Sequence, residues 1–435
     1  MYLLNWYMMN RNVLSLFSSA GIGELGIKAS GFDILVSNEL VYERCKLYKE
    51  NYPETLCICG DIWSLQDNII STWKSLKKGN PFMIYATPPC QGMSFNGIGK
   101  LQSEIRAGRR PKEDARNRLI IPTIQIIKSL SPQWVLLENV PTMQNTIIRT
   151  EDDVYINIID YIKQELAPDY EGVPEIVNCA DYGIPQMRCR LLTILTRSSK
   201  GKSYFKKHKT LLPDRTHSET PKDNLKKWIT LRDAIGNMPY LRSEKGKNQD
   251  PNIKWHVVPI MKKEKLWWVE NTPYNETAYN NQCTHCGFTG TPRHGMCYLE
   301  GRHQSRKDTP IYCAQCNSLL PRPTMVDKET GLRRMIKGFD SAYRRMVWDS
   351  PAPTLTQNFQ FESSDKKLHP EQDRVLSIQE GLILQSISRY DYKFSIEGKD
   401  ITRAMCCEVI GESVPPYLIE LICDNIEQIE NGSKK

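Results

Sequence analysis

The sequence predicts an α/β protein, with a doubly wound and mostly parallel sheet over residues 11–210 and a smaller, irregular second domain after it. Three observations carry this expectation. Short apolar runs alternate with stretches of helical spacing from Arg11 to about Arg197. Most of those runs are continuously apolar, as strands buried on both faces are. Beyond Ser198 the pattern breaks up: Lys200 to Lys209 is lysine-rich, and prolines and glycines interrupt most windows up to Pro353.

Taken in order, Val13 to Phe17 reads as the first strand. It ends in the small-residue stretch Ser18-Ser19-Ala20-Gly21-Ile22-Gly23, with helical spacing onward to Ser30. Ile34 to Ser37 is a second strand closing on Asn38-Glu39, and a helix follows through Tyr48. Strand-like runs recur at Thr55 to Cys59, Phe82 to Ala86, Trp134 to Leu137, Glu175 to Cys179 and Arg190 to Leu195. Residues 211–400 form the second domain, with a cysteine-rich insert at 283–316. Helical patterning returns at Ile378 to Gln385. Residues 401–435 are expected to rejoin the first domain through a helix beginning near Pro416. The apolar segment Met1 to Asn10 lacks a basic n-region and a cleavage site, so it reads as an arm covering apolar surface.

At 435 residues the chain suits two domains, and 40% hydrophobic with 25% charged residues suffices for an ordinary core. A net charge of +8 permits a polyanionic partner without demanding one. No stretch approaches the roughly 18 apolar residues of a membrane span. With no export signal, the fourteen cysteines belong in a reducing cytosol, which favours metal binding and catalysis over disulfides.

A strand, a small-residue turn and a helix make a cofactor site because backbone approaches the ligand there and the helix N-terminus faces it. Such turns also serve plain strand–helix packing, so two acids matter. Glu39 ends the second strand, where a carboxylate can hold both hydroxyls of a ribose; Asp61, in Gly60-Asp61-Ile62, follows the third and can accept from an adenine amino group. Each alone reads as a solvated loop residue or a cap. The turn and both acids in register are hard to assign to chance.

Ala86-Thr87-Pro88-Pro89-Cys90-Gln91-Gly92 sits just past a buried strand, at the mouth of the sheet. The prolines limit the drift of Cys90, which is nucleophilic only as a thiolate. Its position after two prolines and before Gln-Gly suits a strand core poorly. Glu138-Asn139-Val140-Pro141 ends another apolar run, and an acid there is either paired or functional, since a lone buried carboxylate is costly. Burial would raise its pKa and let it hold a proton near neutrality. Gln186, Arg188 and Arg190 alternate along an extended segment, on one side of it; arginines so placed can clamp phosphate or a base carbonyl.

The order Phe17…Gly21, Glu39, Asp61, Pro89-Cys90-Gln91, Glu138-Asn139-Val140, Gln186-x-Arg188-x-Arg190 and Gly411-x-Ser413-Val414-Pro415 resembles that of the DNA (cytosine-5) methyltransferases, across almost the entire chain. The resemblance implies a Rossmann-like, S-adenosyl-L-methionine-dependent catalytic domain with a target-recognition domain. It implies that Cys90 attacks cytosine C6, Glu138 protonates or hydrogen-bonds N3, Arg190 contacts the cytosine carbonyl and Arg188 the phosphate backbone. By the same match the cofactor lies on Phe17, Ser18, Ala20, Gly21, Gly23, Glu39, Asp61, Ile62, Pro89, Ser413 and Val414. Cytosine C6 cannot be reached inside a duplex, so the base must be flipped out, and the segment Gly92 to Pro111 has the glycines of a closing lid. Some positions depart from the family pattern. Ser15 stands where Asp is common and Ser19 where the first glycine of the turn is common. Ile22 interrupts a glycine pair, Leu40 replaces an aromatic and Glu412 an Asn.

Cys283-Thr-His-Cys286 and Cys313-Ala-Gln-Cys316 are two Cys-x-x-Cys pairs in a polar, loop-rich region, the spacing of a four-cysteine structural Zn²⁺ site. His285, His294, Cys297 and His303 lie near enough in sequence to substitute for a ligand. Arg293, Arg302, Arg306, Lys307, Arg322, Arg333 and Arg334 surround the pairs, a basic loop set suited to phosphate contact and groove reading. The segment from Arg344-Arg345 to Thr354 resembles the family motif that organises the recognition domain. These features predict a cytoplasmic, nucleoid-associated monomer that acts on double-stranded DNA, partnered with a restriction endonuclease. Two rival readings are a transfer-RNA cytosine-5 methyltransferase, whose usual Cys-Phe-Thr tripeptide is absent, and a catalytically silent zinc-containing DNA-binding module, which would have no use for Cys90, Glu138 and Arg190 together. A zinc-associated nuclease finds no histidine-rich pattern beyond His294 and His303.

Overall fold

The computed structural model describes residues 11–89, 115–222, 224–299, 302–305, 308–336 and 341–433, with backbone alone at 296–299 and 302–305. Cys90, the proposed lid at 92–111, the arm at 1–10, Arg306 and Lys307 lie outside the described residues.

Every predicted strand forms. The sheet is built from β1 (Asn12–Leu16), β2 (Asp33–Glu39), β3 (Leu56–Cys59), β4 (Met83–Ala86), β5 (Trp134–Asn139), β6 (Glu171–Asn178) and β7 (Cys189–Thr196). They lie in the order β3-β2-β1-β4-β5-β7-β6. The first five are mutually parallel, while β7 runs antiparallel to both β5 and β6. The strand β6 starts four residues before the predicted run because Gly172 and Pro174 read as breakers. On an edge strand a proline is tolerated, since its missing N–H faces no second neighbour.

Side chains alternate between the two faces, and both are covered. Val13, Met83, Tyr85, Trp134 and Leu136 pack on one side with the helices Glu24–Ala29, Tyr42–Asn51, Arg403–Glu412 and Pro416–Glu430. Leu14, Leu16, Ile84, Ala86, Val135 and Leu137 pack on the other with Ile62–Ser75, Ile120–Leu130 and Ile158–Leu166. Double-sided burial is why the strands read as unbroken apolar runs. The closing helix begins at Pro416 as predicted, with proline in the first turn where its missing N–H costs nothing.

Leu231, Ile235, Met346, Trp348, Leu355, Phe359, Leu376 and Ile378 join the first of these cores, so parts of residues 211–400 pack directly against the sheet. A separate core gathers Met261, Trp268, Val269, Tyr279, Tyr343 and Leu368, and a small third one Cys283, Cys313 and Leu320. Arg345 stitches the second of these together. It is 4% exposed and donates to the carbonyls of Val269, Thr272, His369 and Gln372 and to the Asp373 carboxylate. Two hairpins, Met296–Leu299 with Arg302–Ser305 and Thr324–Val326 with Arg333–Met335, complete this region. Among the described residues no helix is long and apolar enough to cross a membrane.

Candidate active site

The strand register brings the predicted residues to one rim. Leu16 of β1 pairs with Asn38 of β2 and Ala86 of β4, and Ala86 pairs with Leu137 of β5. The residues that follow, Phe17, Glu39, Thr87 and Glu138, therefore stand together at its carboxyl edge, Glu39 and Glu138 as still-paired strand residues. The connections diverge between β1 and β4, the switch point at which open α/β sheets bind ligands. A cleft of about 1630 Å³ opens there. It is lined by Phe17, Ser18, Ala20, Gly23, Glu39, Asp61, Ile62, Pro89, Glu138, Arg188, Arg190, Ser413 and Val414, all predicted site residues. Typical small-ligand sites occupy roughly 300–1,000 Å³, so this cleft has room for two ligands.

Gly21 lies behind the lining. Its φ is 81°, and a Cβ there would stand 2.4 Å from Tyr52 Cε2, so glycine is required by backbone and by contact. Phe17 and Ser19 are also left-handed, at φ 59° and 48°, which coils the turn tightly and stores strain in two non-glycine residues. The turn is held from outside by hydroxyls: Tyr52 donates to the Gly21 carbonyl at 2.5 Å and Tyr392 to that of Ala20 at 2.6 Å. Neither tyrosine carries a local signal, because their partners are distant in sequence.

Glu39 is aimed by two backbone amides, Ser19 N–H onto Oε2 and Val41 N–H onto Oε1, each at 2.8 Å. A carboxylate has about four acceptor positions, so two amides leave capacity for a ligand diol. Asp61 caps the helix Ile62–Ser75 through Trp63 N–H at 3.1 Å, using only Oδ1. Asn38 fixes the spacing of the two acids by donating to Ile58 and Gly60 across β3. Arg44 and Glu412 pair at 2.9 Å across the lining, giving the departure at Glu412 a partner.

On the other side of the cleft, Glu138 Oε1 meets Arg190 Nε at 2.7 Å, with side chains 10% and 12% exposed. Burial raises the Glu138 pKa, and it outweighs the opposing pull of Arg190 and Arg188. The pair holds the carboxyl in place without fully committing it to the charged form. Asn139 Nδ2 donates to the Pro88 carbonyl at 3.0 Å, and Thr87 Oγ1 to that of Phe17 at 3.1 Å. These bonds anchor the chain up to Pro89, which lines the cleft. The anchoring side chain of Asn139 lay within a motif read for its neighbour.

Arg188 has partners other than the expected phosphate. It is 1% exposed, and its guanidinium donates to the carbonyls of Leu355 at 2.7 Å, Gly411 at 3.2 Å and Ser413 at 2.7 Å. In this arrangement the guanidinium ties Leu355, Gly411 and Ser413 together at the cleft wall. Gln186 works beside it, accepting from Leu355 N–H and donating to Gln385, which in turn donates to the Ser413 carbonyl. Gly411 permits this junction, since a Cβ would lie 2.2 Å from Gln357 N.

The family model for C-5 cytosine-specific DNA methylases matches residues 11–428. The chain belongs to that family. The methylase is 30% identical over 430 residues to the type II methyltransferase M1.HgaI of Avibacterium volantium, covering 96% of this chain and 99% of the relative. It is 24% identical to M1.HphI of Haemophilus parahaemolyticus, over 97% and 87% of the two chains. Among solved structures it resembles a protein described as a DNA modification methyltransferase of an E. coli prophage. That match has a TM-score of 0.53 and 21% identity over 97% and 99% of the two chains, a likeness of fold.

The four predicted ligand cysteines of the methylase come together far from the cleft in sequence. Their Sγ atoms all lie within 4.8 Å of one another. Cys283–Cys316 and Cys283–Cys286 are 3.6 Å apart and Cys286–Cys313 3.7 Å. Disulfide sulfurs would be about 2.05 Å apart. Four thiolates at about 2.3 Å from a tetrahedral zinc ion are about 3.8 Å apart, so the donor set fits that metal. His294 is engaged elsewhere, its Nδ1 2.8 Å from Thr309 Oγ1 and its ring stacked on Tyr279. The side chains of Cys297 and His303 lie outside the described residues.

Proposed function

We propose that this methylase transfers a methyl group to carbon 5 of cytosine within a specific double-stranded DNA sequence, by base flipping and a covalent Cys90–C6 adduct. The observation that carries the reading is that one cleft holds both the strained cofactor turn with Glu39 and the buried Glu138–Arg190 pair. Phe17 to Gly23, Glu39 and Asp61 would hold S-adenosyl-L-methionine, which would supply an electrophilic methyl group. Cys90 adds to C6 as thiolate while Glu138 gives N3 a proton or a hydrogen bond, and C5 becomes nucleophilic. Arg190, held against Glu138, addresses the cytosine carbonyl. After C5 takes the methyl group, loss of its proton to a base restores the double bond and expels Cys90. A target in a duplex must leave the stack to enter the cleft.

Residues 211–400 carry sequence recognition in this reading, with the four cysteines holding one structural Zn²⁺ that braces a segment whose own core is three residues. A closed four-thiolate site offers no position for water or substrate, so the metal takes no part in the chemistry. The relatives named as type II methyltransferases support an enzyme of a restriction-modification pair, and in this reading it acts as a monomer that protects DNA from a cognate endonuclease. The test is Cys90→Ser: turnover is abolished while fold and cofactor affinity persist. A duplex carrying 5-fluorocytosine traps the wild type covalently, because fluorine blocks the final elimination. Methylation by Cys90→Ser at a rate near wild type would overturn the covalent mechanism.

A further inference from the structure

Glu24, a buried carboxylate on the cleft wall, has no ion-pair partner among the described residues. Glu24 opens the helix Glu24–Ala29, is 1% exposed, and still lines the cleft beside Gly23. Its Oε1 accepts from Ser15 Oγ on β1 at 2.6 Å. The titratable groups facing it from the surrounding elements are Tyr85 on β4, Tyr48 and Tyr52 from the second helix and its end, Tyr392, Cys57 on β3 and Glu39 on β2. None of these brings positive charge. Lys28, one turn along the same helix, stands 5.7 Å over the Tyr52 ring. Arg44 is paired with Glu412, and Arg190 with Glu138. Among the described residues no ion pair joins Glu24.

A buried carboxylate without a cation is unfavourable, and an apolar or amide side chain would fill the space at lower cost. Burial accordingly pushes the Glu24 pKa up to about 7; the Ser15 hydroxyl opposes this, and Glu39 and Cys57 add to it. The arrangement makes sense if a ligand completes it. The other acids near the turn are placed for other parts of the cofactor: Glu39, aimed by two amides, for the ribose, and Asp61, at a helix cap, for the adenine.

We propose that Glu24 is the counter-charge for the cationic methionyl end of bound S-adenosyl-L-methionine, and that it loses its proton to solvent as the cofactor enters. This rests on the cofactor assignment made above. It gives Ser15 a role as well: its hydroxyl orients the carboxylate and favours its charged form.

Isothermal titration of the full chain with S-adenosyl-L-methionine, between pH 5.5 and 7 and in two buffers of different ionisation enthalpy, tests it. That range lies below the titration of a free α-amino group, about 7.7–8.0. The wild type is expected to release close to one proton per cofactor at pH 5.5 and to bind about tenfold more tightly at pH 7. Glu24→Gln should release none, show flat affinity, and bind about tenfold more weakly than wild type at pH 7. Ser15→Ala, which leaves Glu24 in place, should move the pH midpoint upward and so reports on the carboxyl even if Glu24→Gln folds poorly. S-adenosyl-L-homocysteine keeps the ammonium and lacks the sulfonium; an unchanged slope assigns Glu24 to the ammonium, a lost slope to the sulfonium. Wild-type binding without proton release, or Glu24→Gln with wild-type affinity and release, overturns the proposal alone. No binding by the wild type at any pH overturns the cofactor assignment together with it.

Discussion

Replacing Glu138 by Gln keeps the shape of the side chain and an oxygen for Arg190 Nε, but removes both the charge and the deliverable proton. The pair spans 2.7 Å with side chains only 10% and 12% exposed. Removing one partner of a buried pair outright costs about 3–5 kcal/mol. Glutamine retains a hydrogen bond and the pair sits on a cleft that admits water, so a stability loss of about 1–2 kcal/mol is expected. General acid catalysis contributes about 10²–10⁴-fold, or roughly 3–5 kcal/mol of barrier. The rate should therefore fall by two to four decades while the protein stays folded. Single-turnover methyl transfer at saturating cofactor measures the first effect, and DNA affinity by anisotropy with the melting temperature controls for the second. The direction of the Glu138 shift also sets a sign. A raised pKa extends the protonated form to higher pH, so the wild type has an alkaline limb from loss of this proton and Glu138→Gln does not. Equal losses of rate and DNA affinity would make Glu138 a structural residue and refute the assignment.

Three other outcomes are expected. Cys313→Ser should lose zinc and sequence-specific DNA binding while cofactor affinity changes by no more than about 1 kcal/mol; metal analysis and cofactor titration decide, and joint collapse of both binding activities would sink the separation of roles. Ser19→Gly should raise the melting temperature, because the left-handed φ of 48° costs a serine about 1–2 kcal/mol and its buried hydroxyl has no partner among the described residues. Glycine's extra freedom in the unfolded chain offsets part of that gain; a lower melting temperature contradicts the strain argument. Without cofactor, Glu24 binds its proton more tightly folded than unfolded, so its contribution is full below about pH 4.5 and is lost as pH rises to about 7, some 3 kcal/mol in all. Urea unfolding should show that fall in the wild type and its absence in Glu24→Gln.

By itself the sequence determined the sheet, the order of its strands along the chain and the chemistry-bearing residues. Strands buried on both faces must be written as apolar runs, and motifs such as Pro88-Pro89-Cys90 and Glu138-Asn139 are local in the chain. It also specified the four cysteines, since two short Cys-x-x-Cys turns need only be brought side by side. Tertiary structure decided what the long-range partners do. Arg188 looked like a phosphate clamp until Leu355, Gly411 and Ser413, more than 160 residues away, enclosed it. Tyr52 and Tyr392 brace the turn, and Arg44 meets Glu412, through contacts with no periodicity to betray them. Glu24 illustrates the physical reason. A glutamate at a helix start reads as an ordinary first-turn acid. Only the packed fold, by burying it among tyrosines with no cation beside it among the described residues, pushes its pKa up to about 7.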